Sequence, residues 1–230
     1  MYLITLAEDM GKIFSKYWDM FLIEGLSATI LLSLMTVICG TVLGAVLALI
    51  KIGKIKPLKW LVNIMVEIIR GTPMLLQLYI STFLLPVVIP AMNELENKKL
   101  VCISMTLIFN SAAYVSEIIR SGIEAVDKGQ TEAARSLGLN SFITMTEVVL
   151  PQAIKNILPA LGNEFITIIK ETSLASTFYV GELMTTYHMI VGKTHNSLPI
   201  LMIIGIIYFV LNFVLSKALK VFERRLKARA

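Results

Sequence analysis

Residues 25–50, GLSATILLSLMTVICGTVLGAVLALI, decide the class of protein to which this chain belongs. The stretch contains no Asp, Glu, Lys or Arg. A helix needs about 20 apolar residues to cross a hydrocarbon core that is roughly 30 Å thick. The stretch therefore predicts a membrane-spanning helix.

The composition of the whole chain agrees with this prediction. Of its 230 residues, 56% are hydrophobic and 16% are charged, and the mean hydropathy is +0.77. These values are typical of membrane proteins and exclude an ordinary soluble globular protein. Cys39 and Cys102 lack the spacing of a metal site or a disulfide framework, so we expect both to pack as small hydrophobic residues.

The apolar pattern predicts four further spans, at residues 60–92, 100–119, 148–190 and 198–216. Proline removes a backbone donor, so the span at 60–92 should bend near Pro73, Pro86 or Pro90. Charged residues, proline and glycine interrupt the span at 148–190, and such a break is tolerated only where backbone and charge face protein or water. The predicted fold is an all-α membrane protein with five transmembrane helices, forming one domain over residues 1–230.

The distribution of basic residues predicts the orientation of the chain. Short cytoplasmic loops carry an excess of Lys and Arg. Residues 51–59 hold four lysines and no acid, and the tail from Lys217 to Arg229 holds six basic residues against Glu223. Both segments should be cytoplasmic, which places residues 120–147 inside, the N-terminus outside and the C-terminus in the cytoplasm. Topology thus explains the net charge of +5 better than nucleic-acid binding does.

The segment 127–146, between spans three and four, predicts two short helices joined by a tight turn. Asp127 is suited to cap the first helix, with Gln130 as its capping-box partner. Gly138 can adopt the left-handed conformation that ends a helix, and Ser141 is suited to cap the second. Taken alone, this pattern is also that of a plain connecting loop on the membrane surface.

Spacing within that segment is more specific than its composition. Glu132-Ala133-Ala134, Gly138, Val148 and Leu150-Pro151 together resemble the EAA signature of the membrane subunits of ABC importers. Further motifs resemble the polar amino acid permease family of these importers: Arg70-Gly71-Thr72-Pro73, Asn110-Ser111-Ala112-Ala113-Tyr114, Glu117-Ile118-Ile119-Arg120, Lys128-Gly129-Gln130, Gly162-Asn163-Glu164-Phe165 and Lys170-Glu171-Thr172-Ser173-Leu174. Val148 stands where the family usually has isoleucine, and Asp127 where it often has proline.

The resemblance implies a type I ABC importer-like fold with a cytoplasmic coupling helix, and a subunit that carries a polar amino acid across the cell membrane. It also implies partners: two ATP-binding subunits, a second permease subunit that is identical or paralogous, and an extracytoplasmic solute-binding protein. The residues expected to contact the ATPase are Gly129, Gln130, Glu132, Ala133, Ala134, Arg135, Leu137 and Gly138.

Polar residues within the apolar segments are the candidates for substrate binding. An acid at the centre of a spanning helix costs about 2.5–3.5 kcal/mol, so Glu164 requires a compensating partner. Glu164, assisted by Asn163 and Asn110, would attract the ammonium group of an amino acid; the alternatives are a pair with Lys170 or a contact with another subunit. Thr172 and Ser173 would contact its carboxylate, or their hydroxyls only satisfy the broken backbone.

The sequence predicts no enzyme and no cofactor of its own. It contains no Gly-x-x-x-x-Gly-Lys-Ser/Thr phosphate loop and no grouping of nucleophile, base and orienting acid, so ATP should bind a partner subunit. Arg70 is expected to pair with Glu67 or to contact membrane phosphates. The alternatives to an amino acid importer are an ABC importer for another small polar solute and an ion-driven secondary transporter that uses Glu164.

Overall fold

A computed structural model describes the backbone of residues 2 to 227 and the side chains of residues 4 to 226. Within these residues every regular element is helical, in agreement with the all-α prediction. Arg229, the last basic residue of the predicted cytoplasmic tail, lies outside the described residues, as does the side chain of Lys227.

The helices follow one another with short connections. In chain order, the α-helices are α1 Tyr2–Asp19, α2 Leu26–Ile52, α3 Lys56–Gly71, α4 Met74–Val88, α5 Lys98–Glu124, α6 Lys128–Ser136, α7 Ser141–Ile143, α8 Leu150–Glu171, α9 Leu183–Thr194 and α10 Ser197–Lys227. Wider π-helical turns at Met20–Gly25 and Thr144–Val149 join α1 to α2 and α7 to α8. Tighter 3₁₀ turns occur at Pro90–Glu94 and Thr172–Phe178.

Among the described residues, three helical stretches are long and apolar enough to cross a membrane: Ile4–Ile52, Lys98–Glu124 and Ser197–Leu226. Helices α3 and α4 pass the same test only as a pair, which makes a fourth candidate. The break between them lies at Thr72 and Pro73, whereas Pro86 lies inside α4. Proline causes the break here because it cannot donate the backbone hydrogen bond that would continue α3.

The predicted interruption between 148 and 190 takes a specific form. Helix α8 runs through Pro159 and Gly162 without ending. The backbone leaves the α-helical conformation only after Glu171, and Tyr179 and Gly181 both adopt left-handed φ angles, 58° and 83°, before α9 begins. The irregular part is therefore much shorter than the sequence pattern suggests.

The chain divides into two compact units. Unit 1 comprises residues 1–36, 73–107 and 166–216, and unit 2 comprises residues 37–72, 108–165 and 217–230. Helices α2, α5, α8 and α10 each contribute residues to both units. Unit 2 contains 15 Lys and Arg against 8 Asp and Glu, whereas unit 1 contains 6 against 8, and together these account for the net charge of +5.

The core of unit 1 has two clusters of buried apolar side chains. Phe21, Leu183 and Ile200 belong to one cluster, and Leu78 and Ile103 belong to the other. Fully burying such a side chain contributes about 1.5–3 kcal/mol where the alternative is water. In a bilayer that contribution shrinks because lipid tails are equally apolar, so close packing must hold the helices together.

Close packing is most evident in unit 2, where α2 lies against α5. A Cβ atom added to Gly40 would lie 2.7 Å from the hydroxyl oxygen of Ser111, and one added to Gly44 would lie 2.7 Å from Cβ of Val115. Small residues four positions apart let two helix backbones approach closely in a membrane. Gly40 and Gly44 thus hold the α2–α5 seam of unit 2 at short range.

Candidate functional site

Helix α6 begins as its sequence predicts. The Asp127 side chain accepts a hydrogen bond from the backbone N–H of Gly129 at 2.6 Å, which satisfies one of the free donors in the first turn. The predicted N-cap is therefore confirmed. Gln130, expected to complete a capping box, instead accepts a hydrogen bond from Nε2 of Gln152 at 3.4 Å, a contact that connects α6 to α8 within unit 2.

The end of α6 is a closed turn centred on Gly138. Its φ of 84° lies in the left-handed region, as predicted for this position. The backbone N–H of Gly138 donates to the carbonyl of Arg135 at 3.0 Å, and that of Leu139 donates to the carbonyl of Ala134 at 3.2 Å. This pair of bonds is the Schellman motif, which stops a helix and satisfies its last carbonyls. Arg135 strengthens the turn by donating to the carbonyl of Leu139 at 2.7 Å.

The prediction for the second short helix is wrong by one residue. Asn140, not Ser141, is the N-cap of α7, because its side-chain oxygen accepts from the backbone N–H of Ile143 at 2.9 Å. Ser141 is the first residue of the helix. Asn and Ser are about equally good caps, so neighbouring residues of these types leave the start of a helix ambiguous in sequence.

The surface of α6 and α7 combines small and large apolar residues. On α6, Ala134 is buried, whereas the preceding residues Glu132 and Ala133 are exposed. Leu137 and Phe142 are 83% and 75% exposed. The predicted coupling residues lie on one short segment and are exposed except for Ala134, and Phe142 is an exposed apolar residue that the motif does not include.

The buried foundation of this segment lies in unit 2. Val126, immediately before the Asp127 cap, packs with Val149, Ala153 and Ile157. Beside this cluster is a groove of about 580 Å³ lined by Ile123, Glu124, Val126, Lys128, Thr131, Arg135, Ser141, Thr144, Met145 and Val149. The cluster fixes both ends of the exposed segment to the helices α5 and α8.

The predicted substrate residues are divided between the two units. Asn110, Asn163 and Glu164 belong to unit 2, whereas Thr172 and Ser173 belong to unit 1. Asn110 and Glu164 are buried, the latter at 8% exposure, but Asn163 is exposed. Successive residues of a helix point about 100° apart, so Asn163 and Glu164 face different surroundings. All three make polar or electrostatic contacts within the chain.

The hydroxyls at the end of α8 are directed to the backbone. Thr172 donates to the carbonyl of Ile169 at 2.8 Å, and Ser173 donates to the carbonyl of Lys170 at 2.5 Å. Ser176 then donates to the carbonyl of Ser173 at 2.7 Å. These bonds satisfy carbonyls that lose their helical partners where α8 becomes a 3₁₀ turn.

A charged cluster in unit 2 was not anticipated as a site. Glu117 forms an ion pair with Lys51, and Arg120 donates to its Oε2 at 2.8 Å. Arg70 also lies 3.6 Å from Glu117 Oε2, with its guanidinium 5.3 Å from the ring centroid of Tyr114. The partner of Arg70 is therefore Glu117 rather than the expected Glu67. Three of the family motifs supply Arg70, Tyr114, Glu117 and Arg120, whereas Lys51 lies outside them.

A fully buried carboxylate, Glu182 in unit 1, was also missed. Its oxygens accept hydrogen bonds from the backbone N–H groups of Met184 at 2.7 Å and Thr185 at 2.8 Å. Tyr208 of α10 donates to the same carboxylate at 3.2 Å. Glu182 thus caps α9 directly after the irregular segment, and Thr29 of α2 accepts from the backbone N–H of Leu183 at 3.0 Å.

Comparisons with known proteins give this arrangement a family. Residues 40–228 match the model for the binding-protein-dependent transport system inner membrane component. The arginine transport system permease protein ArtQ of Bacillus subtilis is 41% identical over 208 residues, which cover 90% of this chain and 93% of the relative. The L-cystine transport system permease protein TcyB of the same organism is 37% identical over 212 residues, covering 92% of this chain and 88% of the relative.

A solved structure agrees with the sequence comparisons. The crystal structure of an amino acid ABC transporter with histidines contains a chain that is 41% identical, with a TM-score of 0.86, covering 92% of this chain and 96% of that chain. Similarity of sequence and fold therefore extends over nearly the whole molecule. The chain belongs to the family of inner membrane components of binding-protein-dependent transport systems.

Proposed function

We propose that this chain is the membrane subunit of an ATP-driven importer that moves a polar amino acid across the cell membrane. The relatives with named cargoes, arginine and cystine, both carry amino acids, which supports this class of solute. As a membrane component of a transport system, the chain provides the pathway, and ATP is hydrolysed by a separate subunit. It works with two such ATPases, a second permease subunit and an extracytoplasmic solute-binding protein.

The exposed segment from Gly129 to Gly138 is the surface to which the ATPase docks. The observation that carries this proposal is the pair of exposed apolar residues, Leu137 and Phe142, beside the small side chain of Ala133. Large apolar side chains on a polar loop favour an interface over free solvent. Ala133 lets a partner approach the helix backbone, while Gln130, Glu132 and Arg135 set its register. The full set also includes Gly129, Ala134, Leu137 and Gly138.

The chain crosses the membrane five times, with the N-terminus outside and the C-terminus in the cytoplasm. The charge of the two units supports this orientation, because residues 51–59, 127–146 and the basic tail all belong to unit 2, which has the excess of Lys and Arg. Helices α8 and α9, with the irregular residues between them, form the fourth crossing. That crossing needs protein or water beside it because it is charged and interrupted.

In unit 2, Asn110, Asn163 and Glu164 contact the solute; in unit 1, Thr172 and Ser173 contribute through the end of α8. Burial of Glu164 supports this proposal, because an acid in a spanning helix is expensive and is retained where it has a use. Thr172 and Ser173 act through the backbone they satisfy: by ending α8, their hydroxyls determine where helix-end groups become available to a ligand.

Transport then follows from movement at the coupling segment. ATP binding draws the two ATPases together, displaces both coupling segments and changes the access of the pathway from inward to outward. The binding protein delivers the solute to the outer side, and hydrolysis returns the pathway to the inward state. The permease chain supplies the moving helices rather than any bond-breaking group.

Reconstitution tests this function. The chain would be expressed with its neighbouring ATPase and binding protein genes, purified as a complex and placed in liposomes with labelled arginine or cystine. We expect uptake that requires ATP and is unaffected by collapse of ion gradients. Uptake driven by a proton or sodium gradient without ATP would refute the proposal and favour a secondary transporter, and ATP-driven uptake of a different solute class would refute the amino acid cargo.

A further inference from the structure

We propose that Glu117 is a positioning residue through which movement of the coupling segment, residues 127–146, reaches α2 and α3. The inference rests on the proposed function, because it gives the charged cluster of unit 2 a role in ATP-driven transport. Glu117 lies outside the residues proposed to contact either the ATPase or the solute. Its role is to make three helices of unit 2 move as one body.

The two carboxylate oxygens of Glu117 contact basic side chains from three helices. Oε1 accepts from Nζ of Lys51, at the end of α2. Oε2 accepts from Arg120, one turn along α5, at 2.8 Å from Nη2 and 3.2 Å from Nε. Oε2 also lies 3.6 Å from Nη1 of Arg70, at the end of α3. One side chain therefore joins α2, α3 and α5.

Burial makes these pairs depend on helix position. Lys51 is 6% exposed and the Glu117 side chain is 18% exposed, so both charged groups are largely withdrawn from bulk solvent. An isolated buried charge is strongly unfavourable, and a displacement of α2 or α5 alone would leave Lys51 unpaired. The helices of the cluster are consequently favoured in arrangements that keep the charges together.

A continuous path leads from Glu117 to the coupling segment. Nη1 of Arg120 donates to Oε2 of Glu124 at 2.5 Å, so paired charges extend along α5 to its last residue. Val126 follows and is buried against Val149, and Asp127 then caps α6. Only Ala125 and Val126 separate the end of α5 from this cap. Displacement of α6 is thereby passed to the α5 face that carries Glu117.

The cluster is better explained by the helix arrangement that it specifies than by the stability that it adds. Apolar residues of similar volume usually stabilise a buried site as well as an ion pair does, so a buried network is better explained by the arrangement that it specifies. The cluster also borders a cavity of about 500 Å³, whose lining includes Lys51, Glu117 and Arg120.

The test compares solute carried with ATP consumed. In the reconstituted complex with labelled arginine or cystine, Glu117→Gln should lower uptake per ATP hydrolysed about tenfold, while ATP hydrolysis stays within about twofold of the parent complex, because the coupling changes and the motor does not. Glu67→Gln is the matched control: it removes the same charge at the same cavity, but Glu67 is exposed and forms no ion pair among residues 4 to 226. It should leave uptake per ATP unchanged.

A paired variant covers the case in which Glu117→Gln does not assemble. Lys51→Gln combined with Glu117→Gln removes both charges of the most buried pair, so the complex should assemble and still show the lowered uptake per ATP. Parent-like uptake per ATP in either assembled variant, or an equal loss of hydrolysis and uptake, would overturn the role of Glu117. Failure of the parent complex to use ATP would instead refute the proposed function.

Discussion

Glu117 is a partly buried carboxylate and Glu182 a fully buried one, and the two units of the chain compensate them in opposite ways. Glu117, in unit 2, is paired with cations from three helices. Glu182, in unit 1, accepts hydrogen bonds from backbone amides and hydroxyls, and no ion pair within residues 4 to 226 includes it. The difference follows the excess of Lys and Arg in unit 2.

The contrast indicates two kinds of polar site. The hydrogen bonds of Glu182 are mostly local, since Met184 and Thr185 follow it in the next turn, so they determine where α9 begins. The pairs of Glu117 with Lys51 and Arg70 connect residues that are far apart in sequence and depend on how the helices pack. Glu182 of unit 1 therefore determines where α9 begins after the irregular segment, whereas Glu117 of unit 2 links helices.

The largest expected effect on stability comes from removing the Glu117 carboxylate while Lys51 is retained. Glu117→Leu should lower the free energy of unfolding by about 4 kcal/mol, because Lys51 remains buried and unpaired. Adding Lys51→Met should restore most of the loss. Denaturation of the purified protein in detergent measures both. If the double variant is no more stable than Glu117→Leu, the Lys51 pair is not what makes the single variant unstable.

Removal of the cap in unit 1 should have the next largest effect. Glu182→Ala leaves the N–H groups of Met184 and Thr185 and the hydroxyl of Tyr208 without their acceptor, at a cost of about 3 kcal/mol. Substitution of a basic residue should not restore this lost stability, in contrast to the effect of Lys51→Met on Glu117→Leu. Tyr208→Phe serves as the graded control, since it removes one of these bonds and should cost about 1 kcal/mol. Equal losses for the two variants would show that the backbone caps contribute little.

Alanine substitutions of one glycine in each unit should strain the backbone equally and so separate stability from ATPase binding. Gly138 in unit 2 and Gly181 in unit 1 have nearly the same φ, 84° and 83°, and open space where a Cβ would be. Alanine at either position should cost about 1 kcal/mol through the left-handed backbone alone. Only Gly138→Ala should also weaken ATPase binding, measured by titration of the detergent-solubilised permease. Weakening by Gly181→Ala to the same degree would contradict a docking surface confined to the coupling segment.

The smallest expected effect distinguishes two neighbouring caps. Asn140→Ala should cost about 0.5 kcal/mol because α7 loses the acceptor for the Ile143 N–H at an exposed site. Ser141→Ala should leave stability unchanged. The same denaturation measurement distinguishes the two variants. A larger loss of stability in Ser141→Ala would indicate that Ser141 is the N-cap, as the sequence suggests.

Local signals predicted the parts of the molecule that depend on local physics. The uncharged run at 25–50 lies within the helical stretch Ile4–Ile52, and Asp127 and Gly138 begin and end α6 as expected. Each of these features is decided by a few consecutive residues. The ambiguity between Asn140 and Ser141 shows the limit of such signals, because two suitable caps stand side by side.

The buried polar sites could not be predicted in the same way. Lys51 and Glu117 are 66 positions apart, and Glu182 and Tyr208 are 26 positions apart, so only the packing of helices brings them together. Sequence pattern marks a charge in an apolar run as costly, but it does not name the partner. For that reason Arg70 was expected to pair with the nearby Glu67 rather than with Glu117 on another helix.

Cross-linking at Ala133 tests the central claim most directly. In a Cys39→Ala background, Ala133→Cys places a single exposed thiol on α6, since Cys102 is buried. In the assembled complex, a short bifunctional reagent should join this position to the ATPase subunit, and ATP should change the yield. Absence of any adduct with the ATPase in a complex that transports, or labelling of this thiol only from the outer side of the membrane, would contradict the account.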